Sequence, residues 1–220
     1  MANKYFPQNI MVNDALALQE QLAEELVFED RIPVNMDRIG GAVMYCRGNS
    51  VTVSVVVLGF PDLVVKKKEI ITEKMKFAAI PSCEGFREGK VLADAIKSLD
   101  MPPVYMIDGQ GINHPRGLGI AAHVGLALGI STIGASRKLT FGQIENRDGT
   151  EYVVENDEIR AQIVKQKMGS APIYVSPGNK ITLETAVSIT KKCFSASQIP
   201  EPIRIAQEAL QEEVLKGVKI

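Results

Sequence analysis

Residues 103–134 read PVYMIDGQGINHPRGLGIAAHVGLALGISTIG, and their reading decides the fold. An apolar run from Val104 to Ile107 stops abruptly at Asp108. Glycines and two histidines follow, then small and apolar residues suited to a closely packed helix, then a second strand-like run, STIGAS, from Ser131. Strand, helix and strand in that order predict parallel pairing. Asp108 then stands at the carboxyl end of a strand, where ligands of α/β sheets gather. Gly109 and Gly111 allow backbone and ligand to approach closely. A carboxylate is a poor strand residue and costly to bury unpaired. A cation would offset that cost; a local turn with Gly109 is the plainer alternative.

Upstream, RIGGAVMYC, SVTVSVVVLGF and LVVKKKEIITEK carry the β-branched content of three strands. The short turns at Gly48–Ser50 and Pro61–Asp62 predict an antiparallel meander. NDALALQEQLAEELVFED reads as an amphipathic helix with Asn13 as its N-cap, and REGKVLADAIKSL as a helix with Leu92, Ala95, Ile96 and Leu99 on one face. Downstream, the Asp-Gly of NRDGTEYVV predicts a surface hairpin, NDEIRAQIVKQK a short exposed helix, APIYVSPGNK a strand and loop, and two helices close the chain. The expected architecture is a mixed five-stranded sheet, three antiparallel strands followed by parallel ones, flanked by helices as in ribonuclease H-like folds. With 220 residues, one domain over residues 1–220 is expected.

Composition narrows the function. Hydrophobic residues make up 45% of the chain, enough for a sizeable core, and no run approaches a membrane span. The first residues hold no apolar signal core, and three cysteines (Cys46, Cys83, Cys193) share no CxxC spacing, so reduced thiols in a cytoplasmic protein are expected. A net charge of −1 departs from the basic balance of many nucleic-acid binders, which leaves local patches at Lys66–Lys76 and Ser136–Lys138. For the lysine run a solvated face is the plainer reading.

Glu88, near the start of the helix that precedes the Asp108 strand, brings a second carboxylate within reach of Asp108 in this fold. It could equally be a Glu favourably placed at a helix N-terminus. Paired hard-oxygen ligands suit Mg²⁺, and metal-assisted phosphodiester cleavage follows as a reading.

AIPSCEGFREG, MIDGQGINHPRGLGIAAHVG, STIGASRK, VSPGNKITLETA and IPEPIRIA together resemble endonuclease V, from about Asp37 to Ala206. The resemblance implies a ribonuclease H-like fold and Mg²⁺- or Mn²⁺-dependent cleavage of DNA or RNA near deaminated bases, chiefly inosine. It implies metal ligation by Glu88 and Asp108, a base-holding backbone loop at Gly109, Gln110 and Gly111, a functional His114, and a phosphate contact at Arg137 or Lys138. His123 also aligns with a family histidine, but its place in a helix favours packing.

Four positions depart from the family pattern. Val43 stands where the first strand carries a metal-binding Asp. Ala79, within AAIPS (Ala78, Ala79, Ile80, Pro81, Ser82), stands where a Tyr wedge fills the gap left by an extruded base. Stacking of that kind is worth roughly 1–3 kcal/mol per base. Phe77 could substitute for the wedge, though core packing is its plainer role. Glu84 replaces an apolar residue near the base pocket, where it could change base choice or replace the missing metal ligand, as could Asp37 or Asp62. Asn179 replaces a later His. The expectation is a diverged nuclease with weakened or altered cleavage; the alternative is a nucleic-acid-binding homologue without turnover.

Overall fold

The computed structural model describes residues 4–7, 10–99 and 102–217. The chain begins with helix α1 (Val12–Ala23) and the meander β1 (Arg38–Arg47), β2 (Ser50–Gly59) and β3 (Val65–Lys74). Next come the one-turn α2 (Glu84–Arg87), α3 (Gly89–Lys97), β4 (Val104–Ile107), α4 (Ile120–Leu128) and β5 (Ser131–Ser136). Four further strands follow, β6 (Gln143–Arg147), β7 (Thr150–Glu155), β8 (Glu158–Val164) and β9 (Ile173–Asn179), and then α5 (Leu183–Lys192) and α6 (Glu201–Gly217).

All the strands among the described residues lie in one sheet, in the order β3-β2-β1-β4-β5-β9-β8-β7-β6. The first five form the expected ribonuclease H-like unit. β1, β2 and β3 pair antiparallel, and β4 is parallel to both β1 and β5. The sheet is wider than five strands because β9 adds antiparallel to β5 and carries β8, β7 and β6 beyond it.

The expected helix over residues 156–167 is instead strand β8. Ile159, Ala161 and Ile163 recur at period two, which suits a pleated sheet, and Ala161 and Ile163 are buried. Asn156 and Asp157 both take positive φ, 52° and 64°, the backbone of a two-residue hairpin turn. The high charge of the segment masks this alternation. The predicted hairpin at Asp148 and Gly149 is present. Helix α1 starts one residue earlier than its expected cap: Met11 is the N-cap, without a side-chain cap bond, and Asn13 lies inside the first turn.

Two apolar layers sandwich the sheet. On one face Leu92 and Ile96 of α3 and Val124 of α4 pack on Ala42, Tyr105 and Ile107. On the other, Val187 of α5 and Ile203 and Leu210 of α6 pack on Ile39, Val43 and Met106. Helix α6 lies close to β1 because residue 41 is glycine: a Cβ there would lie 2.0 Å from the carbonyl oxygen of Pro202. This contact carries α6 past the carboxyl ends of β1 and β4. Among the described residues, no helix is long and apolar enough to cross a membrane.

Candidate active site

The parallel register of β1 and β4 places Ala42 beside Ile107, and the Asp108 amide donates to the Ala42 carbonyl at 2.9 Å. Asp108 is therefore the first residue beyond the strand pair, beside Val43. Its Oδ2 accepts hydrogen bonds from Arg137 Nη2 at 2.8 Å and from Gln207 Nε2 of α6 at 3.1 Å. Arg137 immediately follows β5, so two adjacent parallel strands deliver an acid and a base to the same edge of the sheet.

Glu88 sits, 5% exposed, at the α2–α3 junction. Its Oε1 accepts from the Cys46 thiol and from Arg87 Nη1, each at 3.2 Å. Burial raises the Glu88 pKa, opposed by the Cys46 hydrogen bond and the Arg87 charge. Burial likewise pushes the Cys46 thiol up to about 12, helped by the Glu88 charge. Cys46 is therefore a thiol that donates to Glu88, not a thiolate, near neutral pH.

Glu88 and Asp108 line one cleft of about 500 Å³, with Glu84, Gln110, Arg137 and Lys138 around its rim. The loop that follows Asp108 is tightly held. Gly111 N donates to Ser176 Oγ at 2.9 Å, and Ile112 N to the Pro177 carbonyl at 2.8 Å. Gln110 Nε2 donates to Thr140 Oγ1 at 2.7 Å and to the Asn113 carbonyl. Gly111 is small for the sake of β9, not of a ligand: a Cβ on it would lie 2.0 Å from the Pro177 oxygen. Gly109, by contrast, lines the cleft.

His114 is not among the cleft-lining residues. It is 1% exposed; its Nε2 donates to the Ser82 carbonyl at 3.0 Å while Nδ1 accepts from the Arg116 amide at 3.2 Å. Arg116 Nη2 and Gln19 Nε2 bind the same carbonyl at 2.8 and 3.1 Å. Three side chains therefore clamp Ser82, which has a φ of 61°, and fix the preceding segment: Ala79 and Pro81 exposed, Ile80 packed beside the buried pair Phe77 and Phe86. The geometry makes His114 a positioning residue. Phe77 belongs to the core and does not replace the wedge aromatic.

His123 is fully buried, stacked on Phe6 and edge-on to Phe86, with Nε2 donating to the Tyr5 carbonyl at 2.7 Å. Asn179 is also structural. It is buried, its Oδ1 accepts from Val27 N, and its Nδ2 donates to the Gly125 carbonyl.

Burial holds both histidines down to about 4, against an ordinary value near 6.5. Between those values the unfolded chain binds protons that the folded chain refuses. Stability is therefore full above about pH 6.5 and falls as pH drops towards 4, by on the order of 1–3 kcal/mol for each residue. Urea midpoints measured across this range should decline on the acid side, and His123→Gln should flatten the decline.

The acids weighed as replacements for a ligand at position 43 do not complete a metal cage. Asp37 pairs with Arg38 and Asp62 with Lys66, at the opposite end of β1 from the cleft. Glu84 lines the cleft but is exposed, its Oε1 3.3 Å from Ser82 N. Among the described residues no three of His, Cys, Asp and Glu gather where they could hold a metal ion. Two carboxylates fit a single hard cation that completes its sphere with phosphate oxygens and water; they do not fit a pair of ions. Gln207 and Cys46 were not expected at the site. A glutamine on an amphipathic helix reads as solvent-facing, and only the path of α6 across the sheet brings it to Asp108.

Residues 20–208 match the family model described as Endonuclease V. The endonuclease V of Archaeoglobus fulgidus is 35% identical over 198 residues, covering 89% of this chain and 90% of its own. That of Dictyoglomus thermophilum is 34% identical over 209 residues, covering 93% and 91%. Among solved structures, the Streptomyces avermitilis endonuclease V superposes with a TM-score of 0.89 at 23% identity, covering 97% of each chain. The Ciona intestinalis endonuclease V, in complex with a 23mer DNA containing an inosine followed by a ribo-adenosine, superposes with a TM-score of 0.81 at 25% identity, covering 93% of this chain and 97% of its own.

Proposed function

The chain belongs to the endonuclease V family, and on that premise we propose that it binds DNA or RNA across the Glu88–Asp108 cleft and cleaves phosphodiester bonds near deaminated bases such as inosine, weakly. The observation that carries this reading is the convergence of Glu88, Asp108, Arg137 and Lys138 on one cleft while Val43, on the neighbouring strand, is 1% exposed in the core. Glu88 and Asp108 would hold a single Mg²⁺ or Mn²⁺, which supplies charge stabilisation at the phosphoryl oxygens.

The chain's own side chains do the rest. Arg137 and Lys138 draw the phosphate to the mouth of the cleft, with Arg137 offering a planar fork and Lys138 a point charge. Gly109 and Gln110 form the wall against the base. Glu84 adds an acceptor at the rim that favours base edges with donors. His114 and Arg116 keep the Ala79–Ser82 segment in place, and Ala79 leaves the gap of an extruded base unfilled. The three free thiols support a reducing, cytoplasmic setting.

A second reading, binding without turnover, is favoured by one contact. Arg137 and Gln207 already occupy Asp108 Oδ2, so a cation there competes with a guanidinium.

The test is incubation with inosine-containing DNA and RNA in Mg²⁺ and, separately, in Mn²⁺. Slow cleavage that falls at least tenfold in both Glu88→Ala and Asp108→Ala supports the nuclease. Cleavage indifferent to both substitutions overturns the site. Retention of labelled strands without cleavage favours the second reading.

A further inference from the structure

A second groove, of about 490 Å³, lies on the other side of Asp108 and Arg137, which line both. Its floor and walls come from the end of β1 (Val43, Met44 and Tyr45) and from one face of α6. Val214 and Leu215 make that face apolar, and Leu215 is 71% exposed. Gln207 and Gln211, one helical turn apart and so on the same side of α6, set two amides along the apolar wall. Tyr45 is 44% exposed and, among the described residues lining the two grooves, is the one aromatic side chain.

We propose that this groove is a nucleobase subsite, taking the base adjacent to the nucleotide held at the glycine loop. The inference rests on the nucleic-acid reading of the neighbouring cleft and adds to it. Three observations favour a base over another occupant. The volume falls within the range of small-ligand pockets. An exposed phenol ring beside aliphatic side chains offers a stacking platform that accepts any base, while side-chain amides present both donors and acceptors to base edges. The wall shared with the first cleft carries Arg137, so a phosphate at that guanidinium has one groove on either side of it. The ring stands on a strand end fixed by pairing with β2, where Tyr45 lies opposite Thr52. It therefore supplies stacking without a loop closure, in a chain whose wedge position holds Ala79.

The experiment measures binding of a short fluorescein-labelled single strand carrying one inosine, by anisotropy over a range of salt concentrations, with the parent, Tyr45→Ala and Tyr45→Phe. Tyr45→Ala is expected to weaken binding about tenfold, equivalent to about 1.4 kcal/mol. Tyr45→Phe is expected to keep parental affinity, because the ring remains. The slope of log affinity against log salt should not change, since no phosphate contact is lost. Parental affinity in Tyr45→Ala overturns the subsite and leaves the nucleic-acid reading standing. A change in sedimenting mass in Tyr45→Ala, without a change in strand affinity, overturns it in favour of a contact between copies of the chain. Failure of the parent to bind any strand removes the reading itself and the subsite with it.

Discussion

Val43→Asp raises cleavage at inosine sites by on the order of 10²–10³ over the parent, the size of effect seen when one electrostatic stabiliser of a transition state is removed or supplied. The expectation follows from register. Asp108 is the residue next beyond the Ala42–Ile107 pair, so position 43 lies beside it on the neighbouring strand, and an acid there meets Asp108 along the wall that the cleft shares with the second groove. The substitution has a cost that makes it testable without turnover. Val43 is 1% exposed and packs with Ile203 and Leu210 of α6. A carboxylate in that setting is several kcal/mol unfavourable unless paired. Without divalent ions the variant should therefore melt below the parent. Added Mn²⁺ should recover much of the difference, because a ligand that binds only the folded state stabilises it. A Val43→Asp protein that folds as well as the parent, ignores Mn²⁺ in a melting experiment and cuts no faster would show that position 43 does not face the site.

Gly111→Ala is expected to destabilise the fold by about 3 kcal/mol and to abolish strand binding at the cleft. The added Cβ would lie 2.0 Å from the Pro177 carbonyl oxygen and 2.8 Å from Ser176 Oγ. The first of these is backbone, and it belongs to β9 in the middle of the sheet, so it cannot swing aside. The loop must move instead. The Gly111–Ser176 and Ile112–Pro177 hydrogen bonds then break together, and the wall that sets Gln110 and Asp108 against each other is lost. Gly109→Ala is the matched control. Its Cβ would meet a methyl group of Ile120, at 2.6 Å, and a side chain can adjust where a strand carbonyl cannot. Denaturant titration of the two variants should show the larger loss at 111; equal losses would mean that the loop is not braced by β9.

Much of the candidate site was legible in residue order. Asp108 at the end of an apolar run, flanked by glycines, implied a ligand-facing strand end, and Glu88 arrived at the same cleft from the helix before it. The exclusion of Val43 from any ligating role needed only its chemistry. The resemblance to endonuclease V grouped these residues as one expected site, and Glu84, Glu88, Asp108, Gly109, Gln110, Arg137 and Lys138 line one cleft. His114, which the same resemblance implied to be functional, is buried and braces the Ser82 carbonyl; Asn179, which stands in place of a family His, is buried and holds Val27 and Gly125.

Local pattern determined what depends on neighbours in sequence: the meander, the strand–helix–strand alternation after it, the hairpin turn at Asp148 and Gly149, and the presence of an acid at a strand end. Those features follow from side-chain period and backbone preference, which act over a few residues. Tertiary structure alone decided the rest. It widened the sheet by laying β9 antiparallel to β5 with β8 beyond it, and put Gln207 and Arg137 on one oxygen of Asp108. It also opened a second groove beside Tyr45, because α6 can cross β1 only where Gly41 leaves room for it. Contacts between residues a hundred positions apart depend on how layers pack, and no local period records which side chain a distant helix will bring.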